Sequence, residues 1–279
     1  MNGATKSAGQ ARESVSGNPL TTAQRALLGL FLIAILAAIA RTCGLLRLSV
    51  SGGWLDSLVL LLAAASTLVS LAGQLPAQNV GLATVVVASI GGGIHMIGAF
   101  TGIPFGPVTY TQAAGLKLFG GAPWFMPLVW VIVILNARGV SRLILRPWRK
   151  LRVYGYWLIG ITAVLTLIFV FGFEPFATRV RDYWIWRPTK LAVDWYGTPL
   201  SDFLGWVVAA LLILGFSTPA LMKKRPSKSY PEYHPLIVWI SIQILFIAAC
   251  WSQHLTAAAA VSAAGCILVI PFALRGARW

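Results

Sequence analysis

Eight long apolar segments follow one another along the chain and alternate with short segments that contain polar residues, glycine or proline. Each apolar segment is close to the 20 residues that a helix needs to cross a bilayer. This pattern predicts an all-α fold, namely a polytopic membrane helix bundle of seven or eight transmembrane helices. The segments lie at about residues 22–41, 55–75, 80–100, 124–141, 153–173, 202–222, 235–252 and 254–274.

The first 21 residues have a different composition, rich in Gly, Ser, Thr and Asn, and are predicted to form a disordered tail. Residues 22–279 are then expected to form a single integral-membrane domain. The first apolar segment ends in Ala38-Ile39-Ala40, which also fits the cleavage site of a secretory signal peptide. The later apolar segments favour a retained first helix, and both interpretations stay open.

Composition supports a membrane protein and argues against several soluble classes. Apolar residues make up 58% of the 279 residues and charged residues only 10%, whereas soluble proteins carry about 25% charged residues. The net charge of +15 would suit a nucleic-acid partner only on a soluble basic module, and the chain has no room for one. We therefore expect the lipid bilayer, and no nucleic acid, as a partner.

No motif for a metal or a cofactor is evident in the sequence. The three cysteines lack CxxC or Cys/His spacing, so neither a zinc site nor a disulfide framework is indicated. A phosphate-binding loop, an HExxH motif and a nucleophile elbow are likewise missing. We expect no metal and no cofactor.

The basic residues predict an orientation in the membrane. With the N-terminus in the cytoplasm, 15 of the 22 Lys and Arg residues fall in cytoplasmic segments, as the positive-inside rule requires. Both termini are then cytoplasmic, in the cytoplasmic (inner) membrane. The loops at 101–123 and 174–201 face outward together.

These two outer loops contain more aromatic and polar residues than a simple connection between helices requires. A simple turn requires only Gly or Pro and a few polar residues, yet residues 101–111 read TGIPFGPVTYT and residues 194–206 read DWYGTPLSDFLGW. We predict that the two stretches meet on one side of the membrane.

Three ionisable residues in or next to the spans are candidates for the chemistry. A charge at the centre of a span costs about 2.5–3.5 kcal/mol, so the presence of an ionisable residue there has to be explained. For His95 the explanation is either a structural hydrogen bond or a function. Glu174 precedes Pro175 at a similar depth. Removed from water, its carboxyl group would favour the protonated form and could donate a proton; the alternative is an ion pair with Arg179 or Arg181. Asp202 opens a helix, where capping alone would explain it.

Aromatic residues are concentrated near the same loops. An interfacial belt would place Trp and Tyr at both membrane faces, so the asymmetry favours an aromatic site for a long apolar or polyene ligand. The glycines at 91–93 provide either close helix packing or a flat groove for such a ligand. The aromatic residues are Phe105, Tyr110, Trp124, Tyr183, Trp184, Trp186, Trp195, Tyr196 and Trp206.

Several of these motifs resemble those of the membrane carotenoid biosynthesis proteins, the family that includes the carotenoid end-group hydratases. The resemblance covers about residues 80–215 and comprises TGIPFG with Tyr110-Thr111, LFGGAP at 118–123, MPLVW at 126–130, Glu174-Pro175, WIW at 184–186 and YGTPLSDFLGW at 196–206.

The resemblance implies water addition to the terminal double bond of a linear carotenoid, without a cofactor. Glu174 would be the general acid, His95 would orient or deprotonate the water, and Tyr110 and Asp202 would complete the polar network. A non-catalytic carotenoid- or lipid-binding protein is the alternative, and a small transporter is disfavoured because no matched pair of broken helices is evident. The residues expected to bind substrate are Thr101, Phe105, Trp130, Trp184, Trp186, Tyr196 and Trp206.

Overall fold

A computed structural model describes residues 19–46, 53–188, 193–222 and 232–279. In this part of the chain, eight helices are long and apolar enough to cross a membrane, which confirms the predicted all-α membrane bundle. The helices are α1 (Pro19–Thr42), α2 (Gly53–Ala72), α3 (Ala77–Thr101), α4 (Met126–Ile144), α5 (Tyr154–Pro175), α6 (Leu200–Ser217), α7 (His234–Ser252) and α8 (Thr256–Ala277).

The helix ends differ from the predicted spans by a few residues. The sixth span was predicted to continue to residue 222, but α6 ends at Ser217, shortly before Pro219, which lacks the N–H that a continuing helix needs. Pro19 already belongs to α1. The rest of the predicted tail, residues 1–18, lies outside the described residues, as do Arg47, Lys190 and the basic residues between 223 and 230.

Helix α4 is the centre of the bundle. It packs against α2, α3, α5, α7 and α8. In its most apolar 18-residue stretch, 72% of the residues are buried inside the protein, whereas the corresponding value for α1 is 22%. The sequence of α4 is apolar on every side from Met126 to Leu135, which suits a helix that is surrounded by protein. α1 packs on α2 and α7 at the edge of the bundle.

The glycines of α3 allow it to approach α4 closely. A Cβ atom at Gly91 would overlap the indole of Trp130, and one at Gly92 would overlap Pro127, both on α4. Gly93 has open space instead. Close helix packing therefore accounts for two of the three glycines, as is common between transmembrane helices.

The two chemistry-rich loops meet at one end of the bundle and form what we call the loop cap, residues 102–125 and 181–199 without 189–192. Strand β1 (Val108–Tyr110) from the first loop pairs antiparallel with β2 (Trp184–Trp186) from the second. Two further short strands, β3 (Asp194–Trp195) and β4 (Thr198–Pro199), form a tight hairpin just before α6. The predicted meeting of the two loops is confirmed.

A polar cluster fastens the loop cap to α1 and α2. The guanidinium of Arg181 forms an ion pair with Asp56 at the start of α2, with Nε 2.8 Å from Oδ2, and donates to the hydroxyl of Thr42 at 3.0 Å. The hydroxyl of Tyr183 also donates to Asp56, at 2.7 Å. Because all of these side chains are at least partly buried, the cluster holds the second loop firmly over the helix ends.

Candidate functional site

A small cavity lies under the loop cap, where α3, α4, α5 and α6 end or begin. It provides about 10 Å³ of space for water, roughly what a single water molecule needs. We call it the capped cavity. His95 and Glu174, which the sequence places at a similar depth, both line it. The complete lining is His95, Gly98, Phe105, Val108, Tyr110, Met126, Glu174, Trp184, Trp186 and Asp202.

Glu174 is held by two tryptophans of β2. Alternate residues of a strand point to the same face, and so Trp184 and Trp186 both turn towards the cavity while Ile185 is 62% exposed. The two indole N–H groups donate to Oε2 of Glu174 at 3.2 and 3.1 Å. The hydroxyl of Thr198 donates to the same oxygen at 3.4 Å.

The alternative of an ion pair between Glu174 and an arginine is wrong. Arg179 is exposed, and its Nε donates to the backbone oxygen of Tyr196 at 2.9 Å. Arg181 is paired with Asp56. Glu174 is itself only 1% exposed, and its partners in the described part of the chain are two indoles and a hydroxyl, with no cation among them.

Asp202 is a second buried carboxyl group at the same cavity. It lies in the first turn of α6 and is 1% exposed. Neither of its oxygens makes a hydrogen bond of normal geometry with a described residue, and the indole N–H of Trp206 is a weaker polar partner. The N-cap of α6 is Pro199 and has no side-chain cap bond, so Asp202 does not cap the helix. Its position still suits the positive end of the helix dipole.

His95 lies in an aromatic slot opposite these carboxyl groups. Its ring stacks on Phe105, with 4.2 Å between the centroids, and meets the edge of Trp206 at 5.4 Å. Phe105 can enter the slot because Gly98 and Gly205 have no side chains; a Cβ atom at either glycine would overlap its ring. The Nε2 atom of His95 has no partner among the described residues.

Further aromatic rings close the inner side of the site. Trp130 and Trp206 stack on each other with centroids 4.1 Å apart. Phe173 presents its ring at a steep angle to Trp184 at 5.7 Å and to Trp206 at 6.0 Å. Buried faces of this kind can stabilise a positive charge.

Tyr110 contributes a phenol to the rim of the capped cavity. Its ring meets the edge of Trp184 at 5.9 Å. Burial, and then the nearby carboxyl groups of Glu174 and Asp202, raise the pKa of Tyr110. The phenol therefore stays neutral at physiological pH and can donate a hydrogen bond into the site.

The family assignment follows from a match that spans most of the chain. Residues 53–271 match the family described as carotenoid biosynthesis protein. The chain belongs to this carotenoid biosynthesis family. The match extends beyond residues 80–215 at both ends, and the family resemblance inferred from the motifs is confirmed.

A characterised relative of this carotenoid biosynthesis protein is bisanhydrobacterioruberin hydratase of Haloarcula japonica. The two are 28% identical over 152 residues. The aligned region covers 53% of this chain and 49% of the relative, so the chain spans about half the length of the curated protein that it matches. No solved structure matches the chain.

Four residues expected to bind the carotenoid do not line the capped cavity. Trp130 and Trp206 pack behind His95, whereas Thr101 and Tyr196 make contacts elsewhere. Thr101 is exposed, and its hydroxyl donates to the backbone oxygen of Ile97 at 2.7 Å, which places it at the end of α3. The hydroxyl of Tyr196 accepts from the backbone N–H of Ala257 at 3.2 Å, which ties the second loop to α8. Both contacts are structural.

Sequence reasoning also missed residues that contact the site. Thr198 bonds Glu174, and Gly98, Val108 and Met126 line the cavity. Thr198 lies within the YGTPLSD stretch and could have been proposed from that motif. Among the described residues, no group of three or more His, Cys, Asp or Glu side chains is placed to hold a metal ion.

An apolar cleft lies beside the capped cavity in this family member. It measures about 60 Å³. Phe173 lies between the two, because it lines the cleft and packs against Trp184, which lines the capped cavity. Asp56 and Tyr183 are the polar residues of the cleft. Its apolar lining is Val59, Leu60, Ala63, Phe125, Val129, Ile132, Phe169, Phe173, Phe176, Ile242, Leu245 and Phe246.

Proposed function

We propose that the protein hydrates the terminal double bond of a linear carotenoid, with Glu174 as the general acid. The observation that carries this proposal is the setting of Glu174, a buried carboxyl group that bonds indole N–H groups rather than a cation. Membership of a carotenoid biosynthesis family and the hydratase relative support the substrate class and the reaction.

In the first step, the carboxyl group of Glu174 transfers its proton to the less substituted carbon of the terminal double bond. The three donors to Glu174 all bond Oε2, so Oε1 is the oxygen that carries the transferable proton. The π electrons form the new C–H bond, and the neighbouring carbon becomes a tertiary carbocation. The two indoles then stabilise the carboxylate that remains, through charge-assisted hydrogen bonds.

In the second step, a water molecule adds to the tertiary carbocation and loses a proton. Aromatic faces, including those of Phe105 and Trp206, shelter the cation until the water adds. His95 accepts the proton from the water through Nε2, and Asp202 and the phenol of Tyr110 orient the water. The product is a tertiary alcohol, and the proton returned to Glu174 completes the cycle.

We assign the polyene body to the apolar cleft. A linear carotenoid needs an apolar channel that leads to the acid. The cleft is almost entirely apolar and is separated from the capped cavity by the packed rings of Phe173 and Trp184. The capped cavity alone is too small for an end group. Binding therefore requires movement of Phe173 or of the loop cap, so that the end group reaches Glu174.

We also propose that the loop cap faces the outside of the cytoplasmic membrane, with both termini in the cytoplasm. The alternation of helix directions and the excess of basic residues at the end opposite the loop cap support this orientation.

The test is the variant Glu174→Gln in cells that supply a linear carotenoid. Glutamine keeps an oxygen that accepts the indole bonds but has no transferable acid proton. Formation of the product one water heavier should fall by about 10²–10⁴-fold, as is typical on loss of a general acid. The product is measured by chromatography with mass detection, at matched protein levels.

Asp182→Asn is the matched control. It makes the same chemical change on an exposed residue of the loop cap, and asparagine tolerates its positive φ of 52°. We expect unchanged product. If Glu174→Gln retained full product formation, Glu174 would not be the acid. If the wild-type protein bound carotenoid without any hydration, the non-catalytic binding function would replace the hydratase proposal.

A further inference from the structure

A second, larger cavity lies at the end of the bundle opposite the loop cap. It has a volume of about 130 Å³ and lies between α2, α4 and α7, roughly ten times the space that one water molecule needs. We call it the basic cavity. Its polar lining includes Asn136, Arg138, Arg142, Arg146, Arg149 and His234.

Four arginines make this cavity strongly cationic. Positions 138, 142 and 146 are four apart and position 149 follows three later, so the side chains share one face of α4 and of the turn after it. Arg138 is buried, Arg142 and Arg146 are half-buried, and Arg149 is exposed. Glu232 is the acidic residue of the lining, and its carboxylate accepts from Gln24 and from the backbone N–H of His234.

Arg138 needs more explanation than a topology signal provides. Basic residues at a cytoplasmic helix end fit the positive-inside rule and the helix dipole. These two effects explain the position of the exposed Arg149. Arg138, however, is 6% exposed and donates to the neutral backbone oxygen of Leu221 at 3.1 Å. No carboxylate of a described residue lies within ion-pair distance of it. Burying such a cation is costly without a negative partner.

Two further buried polar groups at the cavity have unused hydrogen-bonding capacity. His234 is 3% exposed; its Nε2 lies 2.6 Å from the hydroxyl of Ser66, while Nδ1 has no partner among the described residues. The side chain of Asn136 is 1% exposed and donates to Thr67, but its Oδ1 is unpartnered there. The cavity thus combines excess positive charge with buried groups suited to a polar ligand.

We propose that the basic cavity binds an anion that bears a phosphate group. Guanidinium groups bind phosphate through paired, charge-assisted hydrogen bonds, and several arginines around one cavity suit a small anion with many acceptor oxygens. The cavity also lies at the ends of transmembrane helices, where basic pockets between the helices bind anionic phospholipids. The site lies away from Glu174 and does not depend on the hydration reaction.

The experiment measures thermal unfolding of the purified full chain in an uncharged detergent. One series titrates inorganic phosphate against chloride at matched ionic strength, and another titrates phosphatidylglycerol against phosphatidylcholine. A ligand that binds only the folded protein raises the unfolding midpoint with a saturable dependence on concentration. Each titration is repeated with Arg142→Gln and Arg146→Gln, which change half-buried cavity residues, and with Arg152→Gln, an exposed arginine at the same end that does not line the cavity.

We expect a saturable rise of the midpoint with phosphate or with phosphatidylglycerol, and about tenfold or greater weakening of the apparent Kd in Arg142→Gln and Arg146→Gln. Arg152→Gln should bind as the wild type does. A response to phosphatidylglycerol alone would identify a lipid headgroup as the source, and a response to inorganic phosphate would identify a free anion. Absence of any saturable rise, or equal loss in Arg152→Gln, would overturn the proposal.

Discussion

At the residue scale, the carboxyl groups at the loop-cap end differ in what surrounds them. Asp56 has an arginine and a phenol as partners, and Glu174 has two indoles and a hydroxyl. Asp202 makes no hydrogen bond of normal geometry with a described residue and has only the indole of Trp206 as a weaker polar partner. Removal of one partner from a buried ion pair is strongly destabilising, whereas a buried carboxyl group without a good partner itself costs stability. The three residues therefore differ in whether their role is structural or chemical.

Asp202→Leu should stabilise the fold and abolish most of the activity. Leucine removes a buried, unpaired carboxyl group, which costs about 1–3 kcal/mol to bury, so the midpoint of thermal unfolding in detergent should rise. Hydration of the carotenoid should fall because the group that orients water is lost. Both are measured on the same preparation, by unfolding and by product analysis.

Asp56→Leu is the control variant for Asp202→Leu. It breaks a largely buried ion pair with Arg181, so the free energy of unfolding should fall by about 3 kcal/mol. If Asp202→Leu lowered stability to a similar extent, Asp202 would be structural, and its place in the proposed site would be lost.

At the element scale, the proposed site depends on how closely α3 approaches α4. The contact at Gly91 sets the position of Trp130, which stacks on Trp206 and closes the site behind His95. A methyl group at Gly91 would displace Trp130, whereas the same group at Gly93 meets open space. Substitutions at Gly91 and at Gly93 should therefore have different effects on stability and on the proposed site.

Gly91→Ala should cost about 1–3 kcal/mol of stability through overpacking and should also reduce carotenoid hydration. Gly93→Ala should be neutral or stabilise the protein by up to about 1 kcal/mol, since alanine is the better helix former. Thermal unfolding in detergent and product yield test both variants. Equal destabilisation by the two substitutions would contradict the close α3–α4 contact.

The apolar cleft belongs to the same scale, because α2, α4, α5 and α7 form it together. Ala63→Leu places three more carbon atoms in the cleft, so hydration should fall severalfold because the polyene chain has less room. Ala163→Leu, at a buried position in α5 that does not line the cleft, controls for the cost of overpacking. The product yields of the two variants are compared at equal amounts of folded protein. Similar product from both variants would place the polyene elsewhere.

At the scale of the whole molecule, the two ends of the bundle have different chemistry. The loop cap holds carboxyl and aromatic groups above the capped cavity, and the other end carries the arginines of the basic cavity. Fixed orientation in the membrane would present these ends to different compartments. The proposed orientation places the hydration site at the outer side and the basic cavity at the cytoplasmic side.

Labelling of single cysteines tests this orientation. In a Cys43→Ser background, which removes the exposed native thiol, Ile185→Cys should react with a membrane-impermeant maleimide in intact cells. Arg152→Cys should react only after the membrane is permeabilised. The reverse pattern would invert the proposed orientation. Labelling of both from the same side would contradict the path of α5, the transmembrane helix between them.

Much of this protein could be predicted from its sequence, because the relevant signals are local. A transmembrane helix satisfies its own backbone hydrogen bonds, so a run of apolar residues predicts it without knowledge of its neighbours. The convergence of His95 and Glu174 followed from their similar depth and from loops that emerge at the same end, and the family resemblance added Asp202. The family motifs lie in these same stretches.

The partners of the individual side chains could be decided only by the tertiary structure. Arginines near Glu174 in sequence suggested an ion pair, but the register between β1 and β2 presents Trp184 and Trp186 to it instead. Thr101 and Tyr196 share the motifs of the site, yet neither lines the cavity. The basic cavity joins residues of α2, α4 and α7 that are far apart in sequence. Such contacts depend on strand register and on helix rotation within the bundle, which follow from the packing of many side chains together and not from any single segment.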